Sequence, residues 1–67
     1  MRLVTVGDSG EPVRDIQGRL DSLGYPHDPD PRGEFGDGTA AAVRRFQTDR
    51  GLDPDAIVGP RTLPVSY

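Results

Sequence analysis

Gly33-Glu34-Phe35-Gly36-Asp37-Gly38-Thr39-Ala40-Ala41-Ala42-Val43-Arg44-Arg45-Phe46-Gln47 decides the fold of this 67-residue chain. Its closely spaced glycines predict a tight turn that throws one ring, Phe35, inward and then opens a helix. That helix is expected from about Asp37 to Arg50. Val43, Phe46 and Gln47 share one helical face at i, i+3 and i+4, with Thr39 one turn earlier. Glycines so close to a helix start can also cradle an anion. Taken alone, the stretch is therefore open to a ligand role as well as a scaffold role.

Upstream, Val13, Ile16, Gln17, Leu20 and Leu23 mark one stripe of a first amphipathic helix. Ser9 is its expected N-cap, which places Pro12 at N3, where a missing N–H costs little. Gly24 should end it as the left-handed C′ residue of a Schellman motif, bringing Tyr25 back onto Leu20. His27 to Arg32, with Pro29 and Pro31, is then loop. Downstream, Gly51 repeats the stop and Leu52 should fold back on Phe46. After the loop Asp53-Pro54-Asp55, Pro60 is placed as N1 of a third helix. Pro64 keeps that helix short. Residues 1–6 form an extended lead-in, and 64–67 an irregular tail.

The chain repeats itself. A shift of 30 lays Val13-Arg14-x-Ile16-Gln17 on Val43-Arg44-x-Phe46-Gln47. A shift of 23 lays Asp30-Pro31-x-Gly33-x-Phe35-Gly36-x-x-Thr39 on Asp53-Pro54-x-Ala56-x-Val58-Gly59-x-x-Thr62. The expected fold is all-α: one small three-helix bundle over 1–67, built from two imperfect helix-loop-turn repeats with a short third helix. In that light the glycines, Phe35, Thr39 and Gln47 become parts of a hinge. Gln17 and Gln47 are expected to satisfy backbone groups of the adjacent turns, because buried amides must be hydrogen-bonded.

Composition narrows the function. With no cysteine there is neither a disulfide framework nor a thiolate metal site. A net charge of −3 without a basic run argues against nucleic acid and anionic membrane as partners. No apolar run approaches the roughly 18 residues of a membrane span. His27 is the single histidine, with Asp28 and Asp30 nearby, and a metal site would need more ligands of suitable spacing. Asp28-x-Asp30-x-Arg32-Gly33 imitates the start of a calcium loop. Arg32 occupies a ligand position there, and Thr39 stands where a glutamate is needed, so no metal is expected. Ser9, Ser22 and Ser66 lack a base within any motif, so no catalytic residue is assigned and no cofactor is implied.

The ordered set Gly7-Asp8-x-Gly10-x-x-Val13-x-x-Ile16-Gln17-x-x-Leu20-x-x-Leu23-Gly24-Tyr25, then Gly33-x-Phe35-Gly36-x-x-Thr39-x-x-Ala42-Val43-x-x-Phe46-Gln47-x-x-x-Gly51-Leu52, then Ile57-Val58-Gly59-Pro60-x-Thr62, resembles a known family. It is similar to the three-helix peptidoglycan-binding domain of bacterial cell-wall hydrolases, from Gly7 to Thr62. The chain departs from that pattern in its Pro- and Asp-rich loop 27–32, in Asp37 where the second unit has Pro60, and in an early end to the third helix. Val65 and Tyr67 could replace the missing part of that helix in the core.

The resemblance implies a non-catalytic module that targets an attached wall-active enzyme to the glycan strands and stem peptides of peptidoglycan. A monomer is expected, in the cell wall or outside the cell as part of a larger protein. If Met1 is the native start, the lack of a signal-peptide pattern points to the cytoplasm instead. Such a ligand calls for a shallow groove with a ring, amide and hydroxyl groups, and arginine for carboxylate. Tyr25, Arg32, Asp37, Arg44 and Arg61 are the physically motivated candidates for that groove. A protein-interaction or regulatory module on the same scaffold is the alternative. An exposed apolar patch that leaves Val65 and Tyr67 uncovered would favour it.

Overall fold

The protein is described here by a computed structural model covering residues 3–59. Two helices carry it, α1 (Glu11–Ser22) and α2 (Asp37–Asp49). Among the described residues everything else is turn, loop or one of two isolated antiparallel bridges, Val4–Val58 and Ser9–Glu34. The fold is thus all-helical, as the periodicity predicts. The third helix from Pro60, the tail 64–67, Arg61 and the fate of Val65 and Tyr67 lie outside the described residues, as do Met1 and Arg2.

Both apolar stripes bury as their spacing requires. Val13, Ile16, Gln17 and Leu20 of α1 face Thr39, Ala42, Val43, Phe46 and Gln47 of α2 across one core. Phe35 and Val58, matched by the 23-residue shift, both enter it, and so does Val4 from the lead-in. Each such aliphatic or aromatic burial stabilises by roughly 1.5–3 kcal/mol at most. Leu23 is an exception to the expected stripe: it is the C-cap of α1 and 46% exposed. Once the helix ends, 3.6-residue spacing no longer dictates a side chain's direction.

The helix ends follow the expected chemistry. Gly24 at φ 90° and Gly51 at φ 73° sit in the left-handed region that favours glycine. The Tyr25 N–H reaches the Leu20 carbonyl at 2.7 Å, and the Gly24 N–H reaches Asp21 at 3.1 Å. The Leu52 N–H reaches Gln47 at 2.8 Å, and Gly51 reaches Thr48 at 3.1 Å. Both helices therefore close in full Schellman motifs.

The helix starts differ from expectation. Gly10, not Ser9, is the N-cap of α1, and Pro12 falls in the first turn one place earlier than predicted. Ser9 is committed to the bridge with Glu34, which holds it in extended backbone. For α2, the N-cap Gly36 has no side chain to offer, and Asp30 supplies one from the preceding loop. Its carboxylate accepts from the N–H groups of Gly36 (2.8 Å), Gly38 (3.2 Å) and Thr39 (2.6 Å). A β-carbon on Gly38 would collide with the His27 and Asp28 carbonyls, so the loop can lie directly on the first turn.

Two buried glutamines join helices to turns. Gln17 Oε1 accepts from the Gly33 N–H at 2.7 Å, while its Nε2 donates to the Glu34 carbonyl (3.0 Å), the Pro31 carbonyl (3.2 Å) and Thr39 Oγ1 (3.1 Å). Gln47 Oε1 accepts from the Ala56 N–H at 3.0 Å, and its Nε2 donates to the Ile57 carbonyl (3.1 Å) and Asp55 Oδ1 (2.9 Å). Gly33 and Ala56, matched by the shift, are held in the same way, and Ala56 takes a left-handed φ of 60° to allow it. The lead-in ties both turns together. Val4 exchanges two bonds with Val58 at 3.0 and 2.8 Å, and Gly7 donates to Phe35 at 3.0 Å.

Replacing Gln47 with leucine keeps the volume and leaves the buried Ala56 N–H without its side-chain partner. Urea unfolding should show a loss of roughly 1–3 kcal/mol, the cost of one orphaned buried group. A second expectation concerns acid. Partial burial raises the Asp30 pKa, but bonds from Thr39, Gly36 and Gly38 outweigh it, so the carboxyl titrates below its ordinary value. Its folded pKa is therefore depressed. The associated stability is complete above the unfolded value of about 3.9 and is lost as pH falls through the lower folded value. Thermal melts between pH 5 and pH 2 should show a shallower acid loss in Asp30→Asn than in the parent chain.

Candidate functional site

α2 buries one side and exposes Asp37, Ala41, Arg44, Arg45, Thr48 and Asp49 on the other. Asp37, Ala41, Arg44 and Thr48 are spaced i, i+4, i+7 and i+11, so they form one outward stripe. Toward the C-terminal end of that stripe an open depression of about 420 Å³ is lined by Arg44, Arg45, Thr48, Asp49 and, from the following loop, Pro54. Its floor is helix and its wall is a proline loop whose neighbour Asp55 is fastened by Gln47.

Tyr25 reaches the same end of the molecule from the Schellman turn of α1. Its hydroxyl donates to Asp49 Oδ2 at 2.5 Å, and its ring meets Phe46 edge to face, with centroids 5.8 Å apart at 89°. The Arg50 guanidinium lies 5.2 Å from the Phe46 ring centre. The bond to Asp49 favours the neutral phenol, so the Tyr25 pKa is raised above its ordinary value; burial and the Asp49 charge add to this, against Arg50 and Arg45.

Electrostatically, the depression is lined by two arginines and one carboxylate. Among the described residues the ion pairs within 4.0 Å are Glu11–Arg14 at 3.9 Å and Asp21–His27 at 3.5 Å. Among the described residues, Arg44 and Arg45 thus have no carboxylate within 4.0 Å. Arg45 and Asp49, spaced i, i+4, form no ion pair within 4.0 Å, and Asp49 accepts from Tyr25. Two guanidinium groups beside a hydroxyl can hold a carboxylate, and an adjacent Asp49 oxygen can receive an ammonium.

Of the five residues expected from sequence, the structure brings Tyr25 and Arg44 to one place, with Asp49 as the link. Asp37 lies two turns earlier on Arg44's stripe, about 10 Å along the axis at 1.5 Å per residue. Arg32 is exposed in the turn that precedes α2, outside the depression. Arg61 is not among the described residues. Sequence reasoning missed Arg45, Thr48, Asp49 and Pro54. The available signal was the outward crowding of Arg44, Arg45 and Thr48 opposite the buried Phe46–Gln47 pair. His27 and Asp30, weighed as metal ligands, are otherwise engaged. The His27 ring meets the Asp30 carbonyl at 3.0 Å, and the Asp30 carboxylate caps α2.

In a Tyr67→Phe background, ultraviolet titration should place Tyr25 ionisation above the ordinary value near 10. Adding Asp49→Asn should return it toward that value, because the acceptor that held the phenolic proton has lost its charge.

Comparison with known proteins then places the chain. The sequence model of the family described as "Putative peptidoglycan binding domain" matches residues 9–65. A protein of the bpoA1 3′ region of Kitasatospora aureofaciens is 49% identical over 61 residues, 90% of this chain and 51% of its own length. The zinc D-Ala-D-Ala carboxypeptidase of Streptomyces albus G is 45% identical over 64 residues, 91% of this chain and 24% of its own. The chain therefore spans about half of one curated relative and a quarter of the other. Among solved structures, the SleB N-terminal domain superposes with a TM-score of 0.83 at 38% identity, over 91% of this chain and 82% of that one. A Clostridioides difficile peptidoglycan-binding protein, solved with glutamine hydroxamate, gives 0.81 at 36% identity, over 91% and 37%. With the match running through α1, the Gly33 turn and α2, the chain belongs to this peptidoglycan-binding domain family and is a binding module, not an enzyme.

Proposed function

We propose that the chain anchors a wall-active hydrolase or peptidase to peptidoglycan through the rim at the C-terminal half of α2. The observation that carries this is the conjunction of family membership with an open, arginine-lined depression beside a half-buried tyrosine. Tyr25 and Arg44 are the leading contacts. Arg32 and Asp37 would extend the rim toward the turns, and Arg61 joins the proposal from its sequence pattern alone. The carboxypeptidase relative supports an attached catalytic part, since three quarters of it lies outside the matched region. The setting is then the cell wall, with this chain as a monomeric arm of a larger protein. A short third helix from Pro60 belongs to the same proposal. Its support is the repeat: Gln47 clamps the Ala56 turn as Gln17 clamps the Gly33 turn.

The test is co-sedimentation with purified, insoluble sacculi from several wall types. The chain should pellet with at least one of them, and a Tyr25→Phe/Arg44→Ala double variant should need roughly tenfold more sacculi for half-saturation, the equivalent of about 1.4 kcal/mol. Absence of binding to every wall type would overturn the proposal.

A further inference from the structure

We infer that the depression on α2 is a subsite for a free α-amino carboxylate, the terminus that a diamino acid of a stem peptide presents. It rests on the wall-binding reading above and narrows it to one chemical group. Three features of the depression carry it. Arg44 and Arg45, adjacent in sequence, line it together and have no carboxylate within 4.0 Å among the described residues. Two uncommitted guanidinium groups flanking one concavity match a carboxylate, the planar anion that arginine's fork grips best. Asp49 lies on the same lining, and Tyr25 donates to its Oδ2, leaving Oδ1 able to accept from a cation. Asp49 takes this bond from Tyr25 and makes no ion pair within 4.0 Å with Arg45, its i, i+4 neighbour.

The result is a split site, cationic on the Arg44–Arg45 side and anionic at Asp49. A ligand with one sign of charge satisfies half of it. A carbon bearing both an ammonium and a carboxylate satisfies both, with the Thr48 hydroxyl as a further polar contact and Pro54 as an apolar wall. Sugar hydroxyls need no such separation of charge. The subsite therefore faces the peptide part of the polymer.

The experiment is an NMR titration of the 67-residue chain with a soluble disaccharide-peptide whose diamino acid carries a free α-amino carboxylate. Two matched probes follow, one with that carboxylate converted to carboxamide and one with that amine acetylated. The free probe should shift amides from Arg44 to Pro54, and each blocked probe should bind about tenfold more weakly. In Arg45→Gln the preference for carboxylate over carboxamide should fall away while the preference for the free amine survives. In Asp49→Asn the reverse should hold. A variant that merely unfolds would lose both preferences together. Equal binding of all three probes, shifts located elsewhere, or no binding overturns the subsite. Sedimentation of the same chain with sacculi, run in parallel, separates the outcomes. Retained pelleting with an unbound probe removes the subsite alone, whereas absent pelleting removes the wall-binding reading.

Discussion

A buried carboxamide that satisfies a backbone turn is the interaction on which this structure depends, and the chain uses it twice. A chain of 67 residues with sixteen glycines and prolines cannot rely on long elements or a large core. Its loops must be ordered by specific bonds. Gln17 and Gln47 project from the apolar stripes of their helices, where a hydrocarbon would be the ordinary occupant. Each places an acceptor on the one N–H, Gly33 or Ala56, that the tight turn leaves facing inward. Each donates to carbonyls on the same turn. Removing such an amide removes partners from several buried groups at once, so its effect exceeds that of one hydrogen bond.

From that constraint the rest follows in order. The first clamp fixes the 31–34 turn, which brings Asp30 to the start of α2 and Phe35 into the core. The second fixes 55–57, which brings Val58 against Val4 and sets Pro54 beside α2. The Schellman closure of α1 delivers Tyr25 to Phe46 and Asp49. The depression on α2 is thus a by-product of scaffold bonds: its floor is the helix's outer face, its wall a clamped loop, and one of its charges is positioned by a tyrosine from the other helix.

Much of this was legible in the sequence, and the misses have physical causes. The two stripes, both glycine stops, the inward Phe35 and the turn-satisfying glutamines all rest on local spacing, which a linear reading resolves well. The repeat supplied the second clamp by analogy with the first. Serine is a good cap, which makes Ser9 the expected N-cap, but its pairing with Glu34, twenty-five positions away, decides otherwise. Asp30 is a helix cap acting from outside the helix, at a separation no capping rule covers. Helical spacing sets Asp49 beside Arg45, while the fold bonds it to Tyr25. Of the candidates read from sequence, Arg44 lines the depression among the described residues, and Tyr25 is bonded to its Asp49. The charge pattern around them depends on tertiary contacts that spacing does not encode.

The most direct test of the clamp as the organising interaction is amide hydrogen exchange at Gly33 and Ala56. Turn amides with ordinary surface partners exchange through local opening, far faster than the core. If the glutamines hold the turns as described, these two amides exchange only with global unfolding, at the rates of Val43 and Phe46 in the middle of α2. Exchange at the rate of the neighbouring loop amides, with α2 still protected, would show that the turns open independently and would contradict the account.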